Sequence, residues 1–165
     1  MTLALCENPI PKSAKITEAA PQNAGDVVFT EMMTHSIENR GEDGEWFELF
    51  NTSDSAVNLK GCQLRRPKPD APHTIAEDLI IAPNSYSILA SAERPIGAEP
   101  NYVYYGDFGL LDDQGRTRAG LTCGSVVIDK IDIKVRRVSG RSLTVSPQGL
   151  TAKKNDKLEH WCWAP

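Results

Sequence analysis

Apolar and polar positions alternate most clearly between Gly44 and Leu64, in the run GEWFELFNTSDSAVNLKGCQL. In residues 45–51, Phe47 and Leu49 take one face, Trp46 and Phe50 take the other, and Glu48 stands between them. A period of two with aromatic residues predicts a pleated strand. Because both faces are apolar, that strand is expected to be central or covered on both sides. Asn51-Thr52-Ser53-Asp54-Ser55 offers side chains that hydrogen-bond their own backbone, which predicts a turn. A second strand is expected from Ala56 or Val57 to Leu64. Val57 and Leu59 share a face in it, whereas Cys62 and Leu64 fall on the opposite parity. One unpaired residue at Gly61 would bring all four inward, so the spacing predicts a β-bulge there and a hairpin around which the chain is organised.

The remaining pattern is a series of short strands. They are expected at 26–33, 73–76, 78–82, 86–90, 101–105, 108–111, 116–122 and 126–133, separated by turns rich in Pro, Gly, Asn and Asp. Residues 65–72, basic and with three prolines, read as a loop or an edge. Residues 141–145 read as an edge strand and 147–154 as one helical turn. Trp161 and Trp163 are expected to lie against the body of the protein, held there by Cys162. No helical periodicity of ten residues or more occurs, so the fold class is all-β, a sandwich or barrel.

These residues carry a family likeness. The apolar-apolar-x-Glu pattern within 27–31, Glu-Trp-x-Glu-Leu-x-Asn at 45–51 and x-x-x-Val-x-Leu-x-Gly at 54–61 together resemble the lamin tail domain. The resemblance covers about residues 25–135 and implies an immunoglobulin-like β-sandwich. It further implies a non-enzymatic interaction or anchoring module, in a bacterial secreted or cell-envelope setting. Two departures stand out. Cys62 occupies a position where the family commonly keeps Trp, and Arg116-Thr117-Arg118 follows Gly115 where alternating apolar residues are usual.

At 165 residues the chain suits one domain with a substantial core. Residues 1–24, with Pro9, Pro11 and Pro21, read as an extended leader or linker. Residues 25–165 read as the sandwich, with a C-terminal extension from about 136 packed on it. Met1 to Leu5 is too short for a signal peptide, so any such leader is expected to have been removed. No apolar run approaches the ~18 residues of a membrane span. The net charge of −4 argues against sequence-independent nucleic-acid binding, and the expected partner is a protein or a cell-surface polymer.

The four cysteines, Cys6, Cys62, Cys123 and Cys162, contain no Cys-x-x-Cys and disfavour a zinc ribbon. An even number in a β-rich chain suggests two disulfides and an oxidising compartment, with three connectivities open. The block at 140–162 resembles one in bacterial secreted relatives that carry Cys-Gly before the last core strand. That resemblance implies Cys123 with Cys162, leaving Cys6 with Cys62.

Catalytic motifs are lacking: there is no Gly-x-Ser-x-Gly, P-loop or His-Glu-x-x-His, and His35, His73 and His160 lie far apart. No catalytic residue and no resident cofactor are assigned. The candidate metal ligands are Glu31, Glu38, Glu42, Asp43, Glu45 and Glu48, an acidic set on and around one loop that would suit calcium. The bland reading of that set is a solvated loop with Glu31 and Glu48 capping backbone amides. Arg65, Arg66 and Lys68 form one basic group, and Lys134, Arg136, Arg137 and Arg141 another. Each alone reads as a solvated face; brought to one edge they would make a patch for an anionic polymer. A carbohydrate- or calcium-dependent binding domain is the alternative, and it would expose Trp46, Tyr102, Tyr104 or Trp163.

Overall fold

A computed structural model describes residues 18–35, 44–65, 72–95, 97–105, 115–135 and 138–164. In chain order the strands are β1 (Val27–Met33), β2 (Trp46–Asn51), β3 (Val57–Asn58), β4 (Gln63–Arg65), β5 (His73–Thr74) and β6 (Ile80–Ile81). They continue with β7 (Tyr86–Ala90), β8 (Tyr102–Val103), β9 (Arg116–Cys123), β10 (Val126–Lys134), β11 (Leu143–Val145) and β12 (Trp161–Trp163). One sheet runs β12-β11-β1-β2-β7-β8, the other β10-β9-β4-β5, and β3 pairs with β6 as a small ladder. The described residues form an all-β sandwich, as the alternation predicts, with two single 3-10 turns near the C-terminus.

Two bulges set which side chains meet between the sheets. On β1 the register steps from Phe29 opposite Leu49 to Glu31 opposite Glu48, so Thr30 is the extra residue. The step shifts the phase, and Val27, Phe29 and Met32 all enter the core although they are not evenly spaced. On β10 a second step between Val127 and Asp129 makes Ile128 the extra residue, after which Ile131 and Ile133 face inward. Phe47 sits between the rings of Phe29 and Tyr104, at centroid distances of 5.3 and 5.8 Å. The expected two-faced character of β2 holds: Phe47 and Leu49 are in this core, while Trp46 packs with Met33 and Ala90 in a separate cluster.

The hairpin expected between Gly44 and Leu64 is not formed. β2 pairs with β1 and β7, not with the strand that follows it. The stretch 57–64 is not one bulged strand either, because β3 pairs with β6 while β4 pairs with β5 and β9. Between them the Cys62 amide donates to the Leu59 carbonyl at 2.9 Å, closing a four-residue turn. Gly61 has φ +80°, the value required at the third position of a type II turn. The turn achieves what the bulge was expected to do: Val57, Leu59, Cys62 and Leu64 are all buried. A Cβ at Gly61 would meet nothing within 4 Å, so only backbone strain opposes it. Gly61→Ala is therefore expected to cost about 1 kcal/mol in denaturant unfolding, and an unchanged midpoint would contradict the turn.

The cysteine pairing implied by the resemblance is also corrected. The disulfide joins Cys62 to Cys123, and Cys162 is a free, exposed thiol. The cause is register: Gln63 lies opposite Thr122, which places Cys62 directly across from Cys123 with their Cα atoms 4.3 Å apart. Cys162 lies in the other sheet, opposite Thr144 on β11. Cys6 lies outside the described residues, as do residues 1–17 of the expected leader and the 108–111 strand. The stretch expected as an edge strand is interior, since β11 has β1 on one side and β12 on the other. Trp161 is held by this pairing and by its indole nitrogen, which donates to the Asn155 carbonyl at 2.6 Å, not by a disulfide at Cys162.

Where the bulges of β1 and β10 face each other, polar groups bridge the two sheets. The Phe29 amide donates to Asp129 Oδ2 at 2.8 Å, and Asn155 Nδ2 donates to the same oxygen at 2.6 Å. Asn155 also reaches the Phe29 carbonyl at 3.2 Å. Both side chains are buried, so the carboxylate substitutes for the ladder partner that the β1 bulge removes. Burial pushes the Asp129 carboxyl up to about 6, against the pull of the donated hydrogen bonds.

Candidate functional site

The pleat of β9 divides its residues between two sides, although Gly120 and Thr122 are themselves buried. Thr117, Ala119, Leu121 and Cys123 are buried, so Arg116, Arg118, Gly120 and Thr122 share the opposite side of the sheet. After its bulge β10 does the same with Lys130, Asp132 and Lys134, and β4 contributes Gln63 and Arg65. The registers then place these residues in rows. Lys130, Gly120 and Arg65 lie side by side, Asp132 is opposite Arg118, and Lys134 is opposite Arg116. Neighbouring strands lie ~4.8 Å apart, so Arg65 and Lys130 flank the bare glycine at roughly 10 Å from each other.

Five cationic side chains thus share one sheet face in a chain whose net charge is −4. Asp132 offsets part of this: Arg116 Nη2 lies 2.6 Å from its Oδ1 and Arg116 Nε donates to the same oxygen at 2.9 Å. Arg65 Nε is oriented by Thr122 Oγ1 at 3.3 Å. Asp156 lies near the rim, where the charges of Lys130 and Asp132 act on it in opposite senses; partial burial is the larger influence and raises its carboxyl above the usual range. Over Gly120 the face opens into a hollow of about 370 Å³, lined by Arg65, Arg118, Thr122, Val127, Lys130 and Asp132 among others.

Of the basic residues singled out from the sequence, the fold brings Arg65 and Lys134 onto this face. Arg141 precedes β11 in the other sheet and does not join them. Arg66, Lys68, Arg136 and Arg137 lie outside the described residues. Sequence reasoning overlooked Arg116, Arg118 and Lys130. A strand reading of 116–122 and 126–133 carries part of the signal, since Arg116 and Arg118 lie two residues apart and Lys130 falls on the opposite parity to Ile131 and Ile133. Their meeting with Arg65 depends on β4 lying beside β9, which no local pattern encodes.

The acidic set fares differently. Glu31 and Glu48 lie opposite each other on β1 and β2. Each accepts from a hydroxyl: Ser142 Oγ to Glu31 Oε1 at 2.5 Å and Thr30 Oγ1 to Glu48 Oε1 at 2.7 Å. Burial raises the Glu48 carboxyl, the Thr30 hydroxyl pulls it down, and the Glu31 charge pushes it up further. Glu45 is buried, and Glu38, Glu42 and Asp43 lie outside the described residues. Among the described residues no three His, Cys, Asp or Glu side chains converge as metal ligands would. His73 Nε2 is hydrogen-bonded with the Tyr102 hydroxyl at 2.8 Å, and His160 lies 3.7 Å from Glu159. Trp46 and Tyr104 are buried, and Tyr102 and Trp163 are half-buried, so none of the four forms an exposed platform. No described helix is long and apolar enough to cross a membrane.

No curated protein matches the chain at a significant level. The family model of the lamin tail domain matches residues 20–134, a span that includes β1 to β10 and leaves β11 and β12 outside it. The motif residues 27–31, 45–51 and 54–61 all fall within that match, and the immunoglobulin-like sandwich they imply is the fold observed. With the match covering well over half of its length, the chain belongs to the lamin tail domain family.

Proposed function

We propose that the protein is a non-enzymatic interaction module of an oxidising, extracytoplasmic compartment, and that it docks onto an anionic polymer through the outward face of β4, β9 and β10. The observation that carries this reading is the row Arg65, Gly120, Lys130, with Arg118 and Lys134 on the same face of an otherwise acidic chain. Cations gathered on a rigid sheet attract a polyanion without ordering long loops, and their field is screened by salt. The buried disulfide supports the compartment, because such bonds persist where thiols are not kept reduced. Membership of a family of immunoglobulin-like interaction domains supports the absence of catalysis. The half-buried or buried state of Trp46, Tyr102, Tyr104 and Trp163 speaks against those four side chains as an aromatic sugar platform.

Retention on a heparin column at low salt tests the proposal. The oxidised protein is expected to bind and to elute in moderate salt, and the double variant Arg65→Glu, Lys130→Glu is expected to flow through. Flow-through of the unaltered protein at low salt overturns the reading.

A further inference from the structure

Resting on that reading, a more specific site follows from one glycine. Gly120 is the only outward-facing position of β9 without a side chain, and it sits between Arg65 and Lys130 in the same row. A Cβ placed there would come no closer than 3.5 Å to Arg65 Cβ and 3.9 Å to the Asp129 carbonyl, and φ lies outside the left-handed region. Neither packing nor backbone conformation therefore demands glycine at this position. What its absence of a side chain does provide is the floor of the 370 Å³ hollow, near the lower end of the ~300–1,000 Å³ range of small-ligand sites.

We propose that the hollow over Gly120 receives one carboxylate or sulfate group, with its sugar ring, from an acidic polysaccharide. Arg65 brings a planar guanidinium group, the kind suited to two-pronged contact with either anion, and Arg118 and Lys130 add positive charge to the same lining. Thr122 already orients Arg65 and offers its hydroxyl at the floor. Val127, half exposed at the rim, gives an apolar surface for the C–H face of a sugar. A nucleic-acid duplex fits less well. Laid flat over the sheet, its phosphate rows would span both Asp132 and Asp156, whereas a single protruding anion in the hollow meets Arg65, Arg118 and Lys130 against Asp132 alone, whose charge Arg116 offsets.

Binding of fluorescein-labelled heparin hexasaccharide, oligogalacturonate and a 20-base-pair DNA duplex, followed by polarisation at low salt, tests this. The sulfated and the carboxylated sugars distinguish the two anions. Gly120→Val projects an isopropyl group from the floor of the hollow without altering charge and is expected to weaken the preferred oligosaccharide about tenfold or more. Gly120→Ala, which has room for its methyl group, is expected to give an intermediate loss and guards against a folding defect in the larger variant. Lys134→Glu, on the same face but away from the hollow, is expected to cost only about two- to threefold. If both glycine variants bind within twofold of the parent while Arg65→Glu, Lys130→Glu does not bind, the hollow is not the subsite although the charged face stands. If the parent binds none of the three probes, both readings fall. Tighter binding of the duplex than of either sugar overturns the ligand class.

Discussion

Alanine at both Cys62 and Cys123 is expected to lower the free energy of unfolding by about 4 kcal/mol. The two residues are 61 positions apart in sequence, and the entropy of closing a loop of that length in the unfolded chain gives about this value. Against a total stability of ~5–15 kcal/mol for a domain, that is a large share. Both sulfurs are buried in the core between β4 and β9, so the substitution also removes packing at the centre of the second sheet. Guanidinium unfolding of the oxidised parent, the reduced parent and the double alanine variant measures the effect. Cys162→Ser supplies the contrast. Its thiol is exposed, with a weak hydrogen bond of 3.6 Å to the Thr144 carbonyl, and its loss is expected to change stability by less than about 0.5 kcal/mol. A large loss at Cys162 with a small one at Cys62 and Cys123 would mean that the pairing is different.

Asp129→Ala is expected to cost about 3 kcal/mol at neutral pH, because it strips an acceptor from two buried donors, the Phe29 amide and the Asn155 side chain. Asp129→Asn keeps a carbonyl oxygen for those donors without a charge, and it is expected to be far milder. The two variants also separate on pH. The Asp129 carboxyl titrates near 6 when folded and near ~3.9 when unfolded, so between those values the folded state holds a proton that the unfolded state has lost. Its stabilising contribution is full below pH ~4 and is lost as the pH rises to about 6, by at most about 3 kcal/mol, with no further change above. Glu48, also raised, adds to the slope in the same sense. The decisive comparison is therefore the difference between the parent and Asp129→Asn, measured by urea unfolding from pH 4 to 7. An identical slope in both would remove Asp129 from the role. Since Asn155 also positions Trp161, indole fluorescence reports whether β12 loosens with the same pH dependence.

The C-terminal residues show how a buried polar group ties sequence to architecture. Asn155 lies in a turn and carries no pattern that distinguishes it from any other polar loop residue. Once β1 and β10 each insert an extra residue at the same depth, a donor and an acceptor are needed between the sheets, and Asn155 and Asp129 meet that need. Period-two reading of 126–133 shows Asp129 on the apolar side with Ile131 and Ile133. Only the facing bulge of β1 explains why a carboxylate is tolerated there.

Strand identity, by contrast, was legible because it is local. The alternation of Phe47 and Leu49 against Trp46, of Thr117 and Ala119 against Arg116 and Arg118, and of Ile131 and Ile133 against Lys130 and Asp132 reports which face meets the core, whatever the neighbours are. The family motif at 45–51 is a part of that same local record. Pairing is not local. The turn at Leu59 to Cys62 transfers the chain from the β3 ladder to β4, and a short turn with glycine at its third position is indistinguishable by spacing from a bulge in one continuous strand.

What the amino-acid sequence determined alone is therefore the all-β class, the inward and outward sets wherever a strand keeps its register, and the family; the phase shifts at the bulges of β1 and β10 were set by pairing. The tertiary structure decided the partners: β2 between β1 and β7, β4 beside β9, Cys62 with Cys123, and Arg65 with Gly120 and Lys130 in one row. The physical reason is that side-chain orientation in a strand follows from adjacent residues. The choice of neighbouring strand is made across loops of tens of residues, by the fit of whole faces against one core.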